Sequence, residues 1–114
     1  MKIEKFEDII AWQKAKDLTV ALYSILKNNK DFSFRDQLQR ASVSIMNNIA
    51  EGFERKTNNE FKHFLFIAKG SAGELRSMLY LAKELKYMDM KDFDVNYVNV
   101  VVISKMLSNF IKTL

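Results

Sequence analysis

Glu60-Phe-Lys-His63 has the Glu-x-x-His spacing with which helical bundles hold paired metal ions. Such a site takes two of these motifs and two further glutamates, and His63 is the only histidine. One chain lacks the ligands, so no metal and no cofactor is expected. The absence of cysteine also removes thiolate ligands and disulfides. Nucleophilic catalysis is equally unsupported. Ser44, Ser71 and Ser77 have no evident His or Lys base, and no Gly-rich phosphate loop is present. Glu51 and Glu74 can be placed as an acid–base pair on facing helices, but ion pairing, with Arg40 as one partner, is the simpler role. A protein without catalytic residues, not an enzyme, is expected.

Two polar patterns remain. At 100° per residue, Gln37, Arg40, Ser44, Asn48, Glu51 and Arg55 fall on one narrow line of a helix, about 120° from its apolar centre. Such a line is either an exposed polar face or a partly buried network in which Arg40 pairs with a carboxylate and Asn48 satisfies neighbouring groups. Further along, Lys62, Lys69, Arg76 and Lys83 recur every seven residues and drift only about 20° per step. Asn58, Tyr80 and Tyr87 lie beside them, with no acidic residue on the strip. Four cations on a line of about 30 Å can track a phosphate backbone, with the tyrosines stacking on bases, or can form an ordinary solvated face.

These positions need helices, and the chain supplies little that would interrupt them. It has no proline and three glycines among 114 residues, which argues against a sandwich of short strands. The first helix is predicted from about Asp8 to Asn28, with Ala11, Ala15, Leu18, Leu22, Ile25 and Leu26 on its apolar face. The second, capped by Ser33 and running to about Arg55, buries Leu38, Ala41, Ile45, Ile49 and Phe53. Thr57-Asn-Asn-Glu60 reads as a capping box opening the third, to about Lys86. Its core stripe is Phe61, Phe64, Leu65, Ala68, Ala72, Leu75, Leu79 and Ala82. Asp89 caps the last helix, which reaches nearly to Leu114. Val100-Val-Val-Ile103 is β-rich in isolation. Met106, Leu107, Phe110, Ile111 and Leu114 nevertheless continue a helical period, so that segment is assigned to helix.

Amphipathic helices of this length joined by short polar turns predict an all-α, antiparallel up-down-up-down four-helix bundle forming one domain over residues 1–114. Some small or apolar residues lie outside the core stripes: Phe66, Gly70, Gly73 and Leu81 on the third helix, and Val43, Met46 and Ala50 on the second. Glycine in mid-helix costs about 1 kcal/mol relative to alanine, so a subunit interface is the favoured explanation.

A hydrophobic content of 48% with 28% charged residues excludes a disordered chain. No stretch approaches the roughly 20 apolar residues needed to cross a bilayer, and the charged N-terminal segment lacks an apolar signal core. A cytoplasmic protein without a membrane partner is expected. The net charge of +4 and pI of about 9.3 mildly favour acidic partners.

Phe6-Glu-Asp-Ile-Ile-Ala-Trp12-Gln-Lys-Ala15, Gln37-Leu-Gln-Arg40-Ala-Ser-Val-Ser44-Ile-Met-Asn-Asn48-Ile-Ala-Glu51-Gly52 and Phe64-Leu-Phe-Ile-Ala68-Lys-Gly70-Ser71-Ala-Gly-Glu74-Leu together resemble the bacterial four-helix-bundle family of 23S ribosomal-RNA intervening-sequence proteins. The resemblance covers nearly the whole chain. Two departures stand out. Met46 occupies a position where the family usually has proline, implying a straighter second helix. Lys86-Tyr87 replaces a usual Gly-Tyr, implying a tighter or differently capped turn. The resemblance implies a homopentameric ring whose polar motif comprises Trp12, Gln37, Arg40, Ser44, Asn48, Glu51, Gly70, Ser71 and Glu74. The family is similar to the accessory variability determinant of diversity-generating retroelements, a basic pentamer that engages nucleic acid and a reverse transcriptase.

The expected function is therefore a non-enzymatic homo-oligomer binding RNA or DNA through Lys62, Lys69, Arg76 and Lys83, supported by Arg55 and Lys56. The alternative is an oligomeric scaffold that recognises a protein partner through the polar line and Trp12.

Overall fold

The polar breaks divide the chain into four helices. In the computed structural model, which describes residues 2–114, α1 spans Ile10–Ile25, α2 Phe32–Phe53, α3 Asn58–Glu84 and α4 Met90–Lys112, and no strand occurs among the described residues. Consecutive helices pack on one another and α1 closes against α4. Among the described residues, the backbones of the diagonal pairs α1–α3 and α2–α4 stay more than 8 Å apart between Cα atoms. The molecule measures 42 × 23 × 19 Å, its long axis set by α3, whose 27 residues span about 40 Å.

The first two helix starts differ from the sequence prediction. A 3₁₀ turn, Phe6–Asp8, precedes α1 and is tied to it by Gln13 Nε2 donating to the Glu7 carbonyl at 2.8 Å. The helix thus begins after Asp8, and it ends at Ile25 rather than Asn28. Asp31, not Ser33, caps α2: its carboxylate accepts from the Phe34 N–H at 3.2 Å. The same carboxylate accepts from the Tyr87 hydroxyl at 2.7 Å, joining the α1–α2 turn to the α3–α4 turn. With the helix starting at Phe32, Ser33 lies inside its first turn rather than at the cap.

The other two caps follow their local patterns. Thr57 Oγ1 accepts from the Glu60 N–H at 3.1 Å. The return bond of the box runs from the Thr57 hydroxyl to the Glu60 carboxylate, not from Glu60 to a backbone N–H. Asp89 accepts from the Asp92 N–H at 2.7 Å. The β-rich run lies within α4, with Val100 and Ile103 buried. Helical hydrogen bonding satisfies its backbone, where a lone strand would leave it unpaired.

Lys86 stands at φ 60, the left-handed conformation in which glycine usually ends a helix. Its N–H donates to the Lys83 carbonyl at 3.0 Å, and the Tyr87 N–H to Ala82 at 2.9 Å, completing a Schellman closure. The closure is therefore made with a lysine in a strained backbone position. Met46, for its part, sits within an unbroken α2.

The core stripes fall where the periodicity places them, with Leu22, Leu26, Leu38, Ile45, Ile49, Leu65, Leu75, Leu79, Ile103 and Leu107 at zero exposure. Ile25, Phe53 and Phe64 are half-buried at the margin. Phe34, Ser42 and Gly52 join the α2 interior.

Asp31 links this packing to pH. The Tyr87 hydrogen bond, then the Phe34 N–H, holds its carboxyl below the ordinary value of 3.8. Its contribution is fully present above the unfolded value, and it is lost as pH falls through the lowered folded value. Tyr87→Phe is expected to flatten the acid side of the stability profile below about pH 4, read by urea unfolding at stepped pH.

Candidate nucleic-acid interface

Seven-residue spacing on α3 places the four cations along one flank. Lys69 and Arg76 are exposed, whereas Lys62 and Lys83 are half-buried. None of the four is ion-paired among the described residues; the ion pairs present are Lys16–Asp17, Arg35–Asp36 and Arg55–Glu51. Lys83 differs from the rest in local setting. Its ammonium lies 4.4 Å from the Phe93 ring centroid and 5.4 Å from that of Tyr80.

The supporting residues divide. Arg55 contacts Glu51 at 2.9 Å and lies 4.7 Å over Phe64, so its charge is partly neutralised. Lys56 is exposed in the α2–α3 turn, and Asn58 is exposed at the start of α3. Tyr87 is removed from the interface: its hydroxyl is bound to Asp31 and its ring packs edge-on against Phe34 at 5.1 Å.

Tyr80 is different. It is 46% exposed, and its hydroxyl donates to that of Tyr97 at 3.1 Å. That bond pushes Tyr80 above the usual tyrosine pKa, while nearby Arg76 pulls it back. Phe93 and Tyr97 of α4 thus belong to the same cluster as Tyr80, a grouping missed by the sequence reading. Their i, i+4 spacing was visible, but only the packing of α4 on α3 brings them to Tyr80.

The polar line of α2 turns toward α3 and separates into two parts. Ser44 and Ser71 hydroxyls lie 2.8 Å apart, either able to donate. Asn48 Nδ2 donates to the Ser44 carbonyl at 2.8 Å and to its hydroxyl at 3.0 Å. This is the half-buried network. Gln37, Arg40, Ser44 and Glu74 line a cleft of about 220 Å³, yet Arg40 and Glu74 are not within ion-pair distance among the described residues. Glu51 is paired with Arg55 rather than Arg40. Trp12 lies on α1, edge-on to Phe6 at 5.1 Å and with Lys16 over its ring, separate from the α2–α3 line. His63 is exposed and edge-on to Phe64.

The residues outside the core also divide by helix. Phe66 and Leu81 on α3 are exposed, and a Cβ added at Gly70 or Gly73 meets nothing within 4 Å. On α2, Val43, Met46 and Ala50 are half-buried, and Met46 packs against the core. Of the residues in this set, the exposed ones lie on α3.

The 23S rRNA-intervening sequence protein family model matches residues 7–109. This chain belongs to that family. A similar solved structure is the crystal structure of a protein with unknown function from the S23 ribosomal protein family, from Bacteroides thetaiotaomicron VPI-5482. It is 25% identical, has a TM-score of 0.84, and the match covers 90% of this chain and 99% of that one. No curated protein matches the chain. Membership in the intervening-sequence family agrees with the four-helix fold. No helix among the described residues is long and apolar enough to cross a membrane.

Proposed function

We propose that this protein is a non-enzymatic, cytoplasmic homo-oligomer, an up-down-up-down bundle assembled as a pentameric ring, that binds nucleic acid through α3. The observation that carries this reading is the line of Lys62, Lys69, Arg76 and Lys83, none of them ion-paired among the described residues. Unpaired cations keep their charge available for displacing counterions from phosphates. Five copies of a +4 chain carry about +20, which raises the local concentration of a polyanion far more than one subunit does. The direct test is binding of RNA and DNA across a salt series. Binding at low salt that weakens linearly on a log–log plot supports the reading; no binding by the assembled protein at low salt refutes it.

The open glycines support assembly. Gly70 and Gly73 leave α3 without a local packing reason for their helix penalty, and Phe66 and Leu81 are exposed nearby. Close approach of another subunit supplies such a reason. A Cβ at Gly70 meets no neighbour within 4 Å among the described residues, so Gly70→Leu is expected to keep the helical fold by circular dichroism while shifting the assembly to monomer in light scattering. An unchanged oligomer would remove Gly70 from the interface.

A second reading is favoured by the cleft where Arg40 and Glu74 stand without ion partners among the described residues: a protein partner engaging the polar line. Recovery of one specific protein after nuclease treatment, lost in Arg40→Ala, supports it; retention of that protein by Arg40→Ala rules out the cleft.

A further inference from the structure

The Tyr80 cluster adds a base-sized aromatic surface to the cation strip. Phe93 is buried and already closes the α3–α4 packing, whereas nearly half of Tyr80 remains in solvent. Its ring lies 5.4 Å from both Phe93 and Tyr97, tilted against the first and edge-on to the second. Phe93 and Tyr97 are themselves stacked at 5.5 Å. The Tyr80–Tyr97 hydroxyl bond fixes the outer ring at a second point. An exposed aromatic side chain is thus held in one orientation before any ligand arrives, which reduces the ordering cost of binding.

Charge lies on both sides of that ring along the helix. Arg76 is one turn before Tyr80 and close enough to affect its hydroxyl electrostatically. Lys83 is three residues after it, with its ammonium over the aromatic group. The two positions are about 10 Å apart along α3. An aromatic face between cations suits a strand whose bases are free to leave their neighbours while its phosphates remain on the charge line. A duplex offers phosphates but keeps its base faces stacked.

We propose that Tyr80, braced by Tyr97, is a base-stacking platform that makes single-stranded nucleic acid the ligand class of the α3 strip. This rests on the nucleic-acid reading above and deepens it. Arg76 and Lys83 hold the phosphates flanking the stacked base. Lys69 and Lys62 continue the path along α3.

Fluorescence anisotropy with a dye-labelled oligonucleotide of about 15 nucleotides, as RNA and as DNA, and with the corresponding blunt duplexes tests the proposal. Wild-type protein is expected to prefer the single strands. Tyr80→Leu should weaken single-strand binding roughly 5- to 150-fold and leave duplex binding unchanged. The dependence on log salt should keep its slope, because no phosphate contact is removed. Tyr80→Phe retains the ring but loses the hydroxyl bond to Tyr97, and should fall between wild type and Tyr80→Leu; thermal melts of both variants check the fold. Equal or tighter binding of duplex, or no loss with folded Tyr80→Leu, overturns the platform and leaves the basic-strip reading standing. Absence of binding to every probe overturns both.

Discussion

Replacing Gly52 with alanine is expected to destabilise the bundle by about 1–2 kcal/mol, whereas alanine at Gly70 or Gly73 should stabilise the isolated subunit by up to about 1 kcal/mol. The opposite signs follow from what each new methyl group meets. At Gly52 it would lie 2.7 Å from Phe64 Cβ, 3.0 Å from Phe61 Cδ1 and 3.3 Å from the Phe61 carbonyl. A Cβ and a carbonyl cannot swing aside like the end of a flexible side chain, so the end of α2 must move from the start of α3. Overpacking of this kind costs about 1–3 kcal/mol, and alanine recovers less than about 1 kcal/mol of helix propensity. At the other two positions nothing lies within 4 Å, so the propensity gain is unopposed. Denaturant unfolding of the three variants checks the ordering. A stabilised Gly52→Ala protein would mean that α2 and α3 do not approach this closely.

The same contrast shows what could be read along the chain. Thr57 and Asp89 were readable as caps because each side chain meets an N–H three residues ahead. Asp31 caps in the same way, through the Phe34 N–H three residues ahead, but Ser33 competes for that role along the chain, and the added bond from Tyr87 comes from 56 positions away. Apolar periodicity located the interior because a helix stripe is a one-dimensional pattern. It could not distinguish Gly52 from Gly70, since their difference lies entirely in the neighbouring helix. The site divides in the same way. The charge line follows from seven-residue spacing, but Tyr87's removal and Tyr97's arrival both depend on tertiary packing. Arg40 was expected beside a carboxylate and does share a cleft with Glu74, though without ion-pair contact among the described residues. Helix phase brings side chains to the same groove; rotamers decide whether they touch.

Reversing charge at Lys69 and Arg76 together is expected to cause the largest loss of nucleic-acid binding. Both residues are exposed, and neither is ion-paired among the described residues, so the change leaves the core and the existing salt bridges intact. If each of the four strip cations neutralises one phosphate of a single strand, log affinity falls against log salt with a slope of about −2.8 per engaged subunit. Removing two contacts brings the slope to about −1.4 and, at 0.1 M salt, costs roughly 25-fold through counterion release alone. The introduced carboxylates add repulsion, and a ring engaging several subunits multiplies the loss. Lys69→Gln with Arg76→Gln separates these terms: it should show the same reduced slope with a smaller loss of affinity. Reversal at Lys16 and Lys27 on or beside α1 controls for net charge. If that variant loses as much affinity as the α3 variant, binding follows total charge rather than the strip. A folded Lys69→Glu/Arg76→Glu protein with unchanged affinity and slope would remove α3 from the interface altogether.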